Sequence, residues 1–252
     1  ADGDVGGARK TQRDSWPLWH AAPAPEGSPE LPPEVAERLK GSWVAGMKGM
    51  AMLRSDDQAA LVRFGPSLNH GDPDDLGLLY YANGYELSYD IGYGLGSTHA
   101  HVGWASSTVS HCLVTVDESN QFEEPGSGGS LLLFADMPGA KVAEATSELS
   151  YAASDVSEYR RTVALMDGGY LVDIFRVTGG KQHDYGFGSI GTDLEPFGIG
   201  TLVPQEGSLA EGYDWGRKIG MDGDIAGYPG KPYWNPPPGN GYGFFFDVRK
   251  GA

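Results

Sequence analysis

The stretch that decides the fold is residues 78–90, Leu-Leu-Tyr-Tyr-Ala-Asn-Gly-Tyr-Glu-Leu-Ser-Tyr-Asp. Two runs rich in apolar and aromatic residues, 78–82 and 85–90, flank the dipeptide Asn83-Gly84. Asn-Gly supplies the two positive-φ positions that a tight hairpin turn requires, so this pattern predicts a β-hairpin. We therefore expect an antiparallel, strand-rich structure around it.

Further strand patterns lie on both sides of this hairpin. The additional segments that we expect to be strands are 47–54, 58–64, 108–116, 131–135, 159–166, 170–177, 181–187 and 244–248. Turn residues at 55–57 and at Asp167-Gly168-Gly169 separate neighbouring strands, which predicts two more hairpins. Residues 170–177 carry apolar side chains at both odd and even positions, a pattern typical of a strand covered on both faces.

The remaining sequence contributes one helix and many turns. Prolines at its start and Gly41 at its end predict a short helix within 31–41. The chain has 39 glycines and 17 prolines among 252 residues, which favours short strands joined by tight turns. We expect a mainly β protein with one short N-terminal helix. Residues 1–30 would be a linker or disordered lead-in, and 31–252 one domain truncated at its C-terminus, because the last strand pattern lacks a neighbour.

Charge and cysteine content exclude several classes of protein. The formal net charge is −16, so the overall field would repel nucleic acid, and a polyanionic ligand would require locally clustered Arg and Lys. Cys112 is the single cysteine, so no intrachain disulfide can form.

No apolar run in the sequence is long enough for a membrane span. The chain starts at Ala1 without a signal-peptide pattern, as expected for a processed protein or an excerpt.

Candidate chemistry concentrates in the polar segment 69–75, Asn-His-Gly-Asp-Pro-Asp-Asp. His70 and Asp72 are two residues apart and would project to the same side of an extended backbone. Asp90 ends the second strand of the Asn-Gly hairpin, and His111 begins a later strand, so both could reach the same end of a sheet. Carboxylates and imidazoles together suit zinc. The alternative is that these residues serve as turn residues and a hydrogen-bonded structural histidine.

An ordered series of motifs carries a family resemblance. It consists of His70-Gly71 with Asp74-Asp75-Leu76, then Tyr81-Ala82-Asn83-Gly84, Asp90-Ile91-Gly92-Tyr93, His111 through Asp117 with Gln121, Arg161-Thr162, Asp167-Gly168, Tyr170-Leu171-Val172-Asp173, and His183-Asp184-Tyr185. Between about residues 47 and 190 this series resembles the heparinase II/III-like polysaccharide lyases.

The resemblance implies a fold, an activity and a set of site residues. Members join a helical toroid to a large antiparallel β-sandwich, so the resemblance implies that residues 31–252 are such a β-sandwich domain. Members cleave uronate-containing acidic polysaccharides, such as glycosaminoglycans, alginate or ulvan, by β-elimination. It implies that His70 acts in the cleft, on the substrate carboxylate or the C5 proton, and that Asp72, Asp90 and His111 form a metal triad for a structural Zn²⁺. The partner implied is the missing toroid domain, which supplies the catalytic tyrosine in many members. It also implies a periplasmic or secreted protein.

Departures from the family pattern leave alternatives open. Asp72 stands where the family has a second histidine, and Cys112-Leu113 follow His111 in place of Asn-Thr. Without a toroid we expect this chain alone to be inactive. A second interpretation is a noncatalytic carbohydrate-binding or structural β-sandwich. A third is a metal-dependent hydrolase, which would require Asp72, Asp90 and His111 around a metal with an open position.

Overall fold

A computed structural model gives the structure of the chain for residues 32–55, 57–65, 71–92, 99–123, 127–189, 197–198, 200–213, 215 and 235–251. The predicted helix is confirmed as α1, Pro33–Lys40. The strands, in chain order, are β1 Trp43–Ala45, β2 Met50–Arg54, β3 Gln58–Arg63, β4 Leu78–Ala82, β5 Tyr85–Glu86, β6 Val114–Val116, β7 Ser130–Met137, β8 Ala140–Thr146, β9 Glu158–Met166, β10 Tyr170–Thr178, β11 His183–Tyr185, β12 Val203–Pro204 and β13 Arg249–Lys250. No helix among these residues is long and apolar enough to cross a membrane.

The strands form antiparallel sheets, as expected for a mainly β protein. One sheet has the order β1-β2-β3-β4-β5, and a second has the order β10-β9-β8-β7. Two smaller sheets pair β11 with β6 and β12 with β13. Consecutive strands are neighbours within both large sheets, so each sheet is built from local hairpins.

The hydrophobic core lies between the two large sheets. Ala51 and Val62 of the first sheet and Val163 and Leu165 of the second are fully buried in one continuous cluster. Val116 of the smaller sheet joins the same cluster. Side chains therefore alternate between this core and the outer faces along each strand, which gives the predicted β-sandwich.

Arg161 is a charged residue inside this core, with no exposed surface. Its Nε and Nη2 atoms donate to the two carboxylate oxygens of Asp173 at 2.9 and 2.6 Å. Its Nη1 donates to the carbonyl of Leu76 at 2.6 Å and to the carbonyl of Cys112. The guanidinium also lies over the ring of Phe175, 5.3 Å from the ring centroid. One side chain on β9 therefore holds two segments that precede β4 and β6.

The hairpin predicted at Asn83-Gly84 is confirmed, because both residues have positive φ and Ala82 pairs with Tyr85. The expected strand over 85–90, however, ends at Glu86. The buried Ser88 accounts for this difference. Its hydroxyl accepts from the amide of Tyr80 at 2.6 Å and donates to the carbonyl of Leu78 at 2.9 Å. The Ser88 side chain thus takes the place of one backbone acceptor, while the amides of Leu87 and Ser88 both donate to the carbonyl of Tyr80, and the chain then leaves the sheet towards Asp90.

Two other expected strands were wrong in extent. Within 108–116, a 3₁₀ turn occupies Thr108–Ser110 and the strand begins only at Val114. The hydroxyl of Thr108 donates to the carbonyl of Pro73 at 2.9 Å, which ties this segment to a loop instead of a strand. Within 244–248, Asp247 adopts a positive φ, and only Arg249–Lys250 pairs, with Val203–Pro204.

The expectation that the 170–177 strand is covered on both faces was also wrong. Its side chains alternate between half-buried and exposed, and Val172 and Ile174 are 38% and 47% exposed. Leu171, Phe175 and Val177 pack against the core, so the alternate side chains, Val172 and Ile174 among them, lie on the outer face of the sheet and meet solvent. Strand β8 was missed because its sequence, Ala-Lys-Val-Ala-Glu-Ala-Thr, is poor in the aromatic and β-branched residues that mark strands.

We expect Arg161→Met to lower the free energy of unfolding by about 3–5 kcal/mol, because it leaves the Asp173 carboxylate without its buried partner. Urea denaturation of the full-length protein measures the change. Arg176→Met is the matched control, since Arg176 is 42% exposed and its ion pair with Glu144 should contribute about 1 kcal/mol or less. Equal losses in the two variants would contradict the role assigned to Arg161.

Candidate functional site

A cleft of about 370 Å³ opens beside β3 and β4. This volume is within the usual range for small-ligand sites, about 300–1,000 Å³. The residues that line it are Met47, Lys48, Met50, Leu61, Arg63, Gly71, Asp72, Asp74, Gly77, Leu78, Leu79, Asp90, His111 and Cys112. Charged groups and an imidazole thus share the cleft with an apolar floor.

The loop at 71–77 brings most of the acidic groups to the cleft. Its main chain is fixed to β3, because the amide of Leu76 donates to the carbonyl of Arg63 at 2.8 Å and the amide of Arg63 donates to Gly77 at 3.1 Å. Leu76 is fully buried with a positive φ, an unusual conformation for a branched residue. The loop therefore has a defined shape that depends on contacts with the core.

Asp75 anchors the same loop from beneath. Its Oδ2 accepts from the hydroxyls of Ser147 and Ser150, each at 2.9 Å. The side-chain amide of Gln121 pairs with the Asp75 backbone, accepting from its amide and donating to its carbonyl at 2.8 Å. Burial raises the pKa of Asp75, although the two serine hydrogen bonds oppose that shift. Asp75 is therefore a structural residue and does not line the cleft.

Asp90 and His111 form the best-defined polar pair in the cleft. Nδ1 of His111 lies 3.2 Å from Oδ2 of Asp90. Burial opposes ionisation of Asp90, but its contact with His111, the amide of Gly92 at 2.7 Å and the charge of Arg63 together lower its pKa. His111 is 3% exposed, and its Nε2 is buried without a hydrogen-bond partner among the described residues. An unpaired buried ring nitrogen is a potential ligand or proton-transfer atom.

Asp74 completes a three-residue cluster with this pair. One ligand atom from each of Asp74, Asp90 and His111 lies within 4.8 Å of the others, close enough to hold one metal ion. The guanidinium of Arg63 makes an ion pair with Asp74 and donates to the carbonyl of Asp72 at 3.1 Å. Arg63 therefore neutralises part of the acidic cluster.

Asp72 lies in the same cleft, in a different electrostatic environment. Burial raises its pKa and the charge of Asp90 adds to the rise, while His111, His101 and Arg63 act in the opposite direction. His101, whose charge opposes this rise, begins a largely buried π-helical turn, His101–Ala105. Irregular turns of this kind occur frequently at functional sites.

The structure brings three of the predicted site residues, Asp72, Asp90 and His111, to one cleft. It places Asp74 beside Asp90 and His111. An aspartate was expected in this cluster, but Asp74 is one that the sequence did not predict there. His70, the predicted catalytic residue, lies outside the described residues. The sequence did not identify Arg63 as a site residue. Its position at the end of β3, facing the 71–77 loop, could have indicated that it balances the charge of the aspartates in that loop.

Comparison with known proteins identifies a family. The model of the C-terminal domain of heparinase II/III-like proteins matches residues 37–188, which is more than half of the chain. That range contains every described cleft residue discussed above. None of the curated proteins shows significant sequence similarity to the chain.

Solved structures with similarity to the chain include two lyases. A heparan sulfate lyase from Pedobacter heparinus is 18% identical, with a TM-score of 0.47, over 55% of this chain and 22% of that structure. A heparinase III gene product is 21% identical, with a TM-score of 0.49, over 71% of this chain and 30% of that structure. The chain therefore spans less than a third of the length of either structure.

The lowered pKa of Asp90 gives a pH-dependent prediction. The charged form is favoured in the folded state, so its stabilising effect is present above the ordinary aspartate pKa and is lost as the pH falls through the lowered one. Asp90→Asn should therefore cost about 1 kcal/mol of unfolding free energy near pH 7 and a smaller amount near pH 3, which is below the ordinary aspartate pKa. Urea denaturation at both pH values measures the difference.

Asp136→Asn, at an exposed carboxylate on β7, is the control and should show no pH-dependent loss. A loss for Asp90→Asn that is the same at both pH values would contradict the assigned ion pair.

Proposed function

The chain belongs to the heparinase II/III-like family, within its C-terminal domain, and we therefore propose that it is the β-sandwich part of a polysaccharide lyase. The lyase would cleave a uronate-containing acidic polysaccharide by β-elimination. The observation that supports this best is the meeting of Asp72, Asp74, Asp90 and His111 with Arg63 and Lys48 in one cleft. Family membership supports this class of reaction, and the cleft contains residue types that such a reaction needs.

β-Elimination removes the weakly acidic C5 proton beside a uronate carboxylate and expels the oxygen at C4. It requires a base near C5, a proton donor near O4 and positive charge beside the carboxylate. Gly71 lines the cleft, and His70 directly precedes it in the chain. We assign His70 to the C5 proton or to the substrate carboxylate.

A zinc ion is part of the proposal, held by Asp74, Asp90 and His111. Two carboxylates and one imidazole are suitable zinc ligands, and the unpaired buried Nε2 of His111 agrees with a ligand role. Asp72, the ligand expected from the sequence, lies near enough to influence the same charges. The ion would supply structural bracing, because it would connect the loop that follows His70 with the segments that contain Asp90 and His111.

The remaining parts of the proposal concern the whole protein. We propose that a helical toroid domain completes the cleft and that the protein acts in the periplasm or outside the cell, where polymeric substrate is present. Candidate substrates are glycosaminoglycans, alginate and ulvan. Retention of an acidic glycan without formation of unsaturated product would instead indicate a noncatalytic carbohydrate-binding module.

We expect His70→Ala in the full-length protein to lower kcat by about 10²–10⁴-fold, since it removes a group that transfers a proton or binds the uronate. The ultraviolet absorbance of the new C4–C5 double bond measures turnover on each candidate glycan. His183→Ala is the matched control, because His183 is exposed and contacts the backbone carbonyl of Gly179 at 2.7 Å. Unchanged turnover in His70→Ala would refute the assignment.

We expect the full-length protein to retain about one zinc per chain after dialysis, and His111→Gln and Asp74→Asn to retain much less. Zinc content by elemental analysis and the zinc-dependent rise in Tm are the two measurements. Asp136→Asn serves as the control. Equal zinc content in wild type and variants would exclude this cluster, and loss of zinc in Asp72→Asn alone would identify Asp72 as the ligand in place of Asp74.

A further inference from the structure

Two basic side chains line the cleft, Lys48 and Arg63. Arg63 is committed to the carboxylate of Asp74 and the carbonyl of Asp72. Lys48 makes neither an ion pair nor a hydrogen bond with any residue that the structure describes. It is therefore the cleft cation whose charge is not already balanced within the described part of the chain.

The position of Lys48 is fixed by a close crossing of two backbones. Lys48 ends a 3₁₀ turn, Gly46–Lys48, and Gly49 follows with a φ of 62°. The carbonyl of Gly49 accepts from the amides of Phe64 and Gly65 at 2.6 and 3.0 Å. A Cβ on Gly49 would lie 1.9 Å from the Cα of Gly65, so only glycine fits at this crossing. The turn is thus attached to the end of β3, beside Arg63.

Neighbouring charges explain why a free cation matters here. Asp72, Asp74 and Asp90 would repel an anionic ligand, and Arg63 is already engaged in an ion pair with Asp74. A ligand with carboxylate or sulfate groups needs a cation that it can contact without separating an existing pair, because breaking an established ion pair has its own cost. Lys48 meets this requirement. Met47, beside it, is 97% exposed, so the turn projects into solvent at the rim of the cleft.

We propose that Lys48 is a specificity-determining residue, whose ammonium group binds an anionic substituent of an acidic glycan in this cleft. The proposal rests on the proposed function for the substrate class. The group recognised is a carboxylate or a sulfate of the sugar chain. Lysine suits either group, since its flexible ammonium acts as a point charge and imposes little geometry.

The test measures glycan binding by the full-length protein with Lys48→Ala and Lys48→Gln. The probes are oligosaccharides of alginate, which carry carboxylates only, and of heparan sulfate, which carry carboxylates and sulfates. Calorimetry at low and high salt gives Kd. We expect an increase in Kd of about fivefold at low salt, which shrinks at high salt because the lost contact is electrostatic. Lys48→Arg keeps the charge and should stay within about twofold of wild type.

Lys40→Ala is the matched control, since Lys40 is exposed and pairs with Glu37 on α1, away from the cleft residues. It should leave Kd unchanged. A larger effect on heparan sulfate than on alginate identifies the bound group as a sulfate, and equal effects identify a carboxylate. Unchanged Kd and unchanged salt dependence in both Lys48→Ala and Lys48→Gln overturn the proposal.

Measuring turnover distinguishes a failure of this inference from a failure of the proposed function. If Lys48→Ala weakens glycan binding in a protein that forms no unsaturated product, Lys48 has the proposed role and the lyase assignment fails. If product forms, Lys48→Ala should raise KM by about fivefold with kcat within about twofold, as expected for loss of a binding contact. A fall in kcat with no change in KM would overturn the binding role.

Discussion

The guanidinium group of Arg161 is fully buried, where it pairs with Asp173 and donates to the main-chain carbonyls of Leu76 and Cys112. Leu76 ends the loop that holds the acidic cleft residues, and Cys112 directly follows His111. A buried ion pair contributes little net stability, because desolvation opposes the Coulomb attraction, but an incomplete pair is strongly unfavourable. Folding therefore favours the arrangement in which every hydrogen-bond donor of Arg161 has an acceptor. In that arrangement the segment containing Leu76 lies next to the segment containing Cys112.

The need of buried polar groups for hydrogen-bond partners also explains why the cleft loop keeps its shape although it has no regular secondary structure. Asp75 binds two serines beneath it, Gln121 pairs with its main chain, and the hydroxyl of Thr108 holds Pro73. Each contact satisfies a buried polar group that would otherwise be costly. Three separate parts of the chain thus hold one loop, so the spacing between Asp74, Asp90 and His111 follows from the fold.

The local patterns predicted the hairpins well, because they depend on neighbouring residues. Asn83-Gly84 specifies a turn by its own backbone preferences, and the strands on either side of Asp167-Gly168-Gly169 pair with each other as the predicted hairpin. The predictions that were wrong depended on side-chain contacts that periodicity cannot reveal. The hydroxyl of Ser88 takes the place of one backbone acceptor for Tyr80, and that of Thr108 donates to the carbonyl of Pro73 in the cleft loop.

The cleft shows the same division between local and distant information. The sequence indicated that the aspartates and histidines would meet, but it assumed extended backbone around Asp72. The amide of Asp74 instead donates to the carbonyl of Asp72 at 2.9 Å, so the loop turns and Asp74 joins Asp90 and His111.

The net charge of the chain was equally uninformative about the cleft, since charges beyond about 8 Å are largely screened at physiological ionic strength. The described cleft residues include three carboxylates and the two basic side chains of Lys48 and Arg63, which leaves a formal charge of one negative unit. A bound divalent cation would make this local charge positive. The sign of the local charge in the cleft is therefore set by the cleft residues and not by the formal net charge of −16.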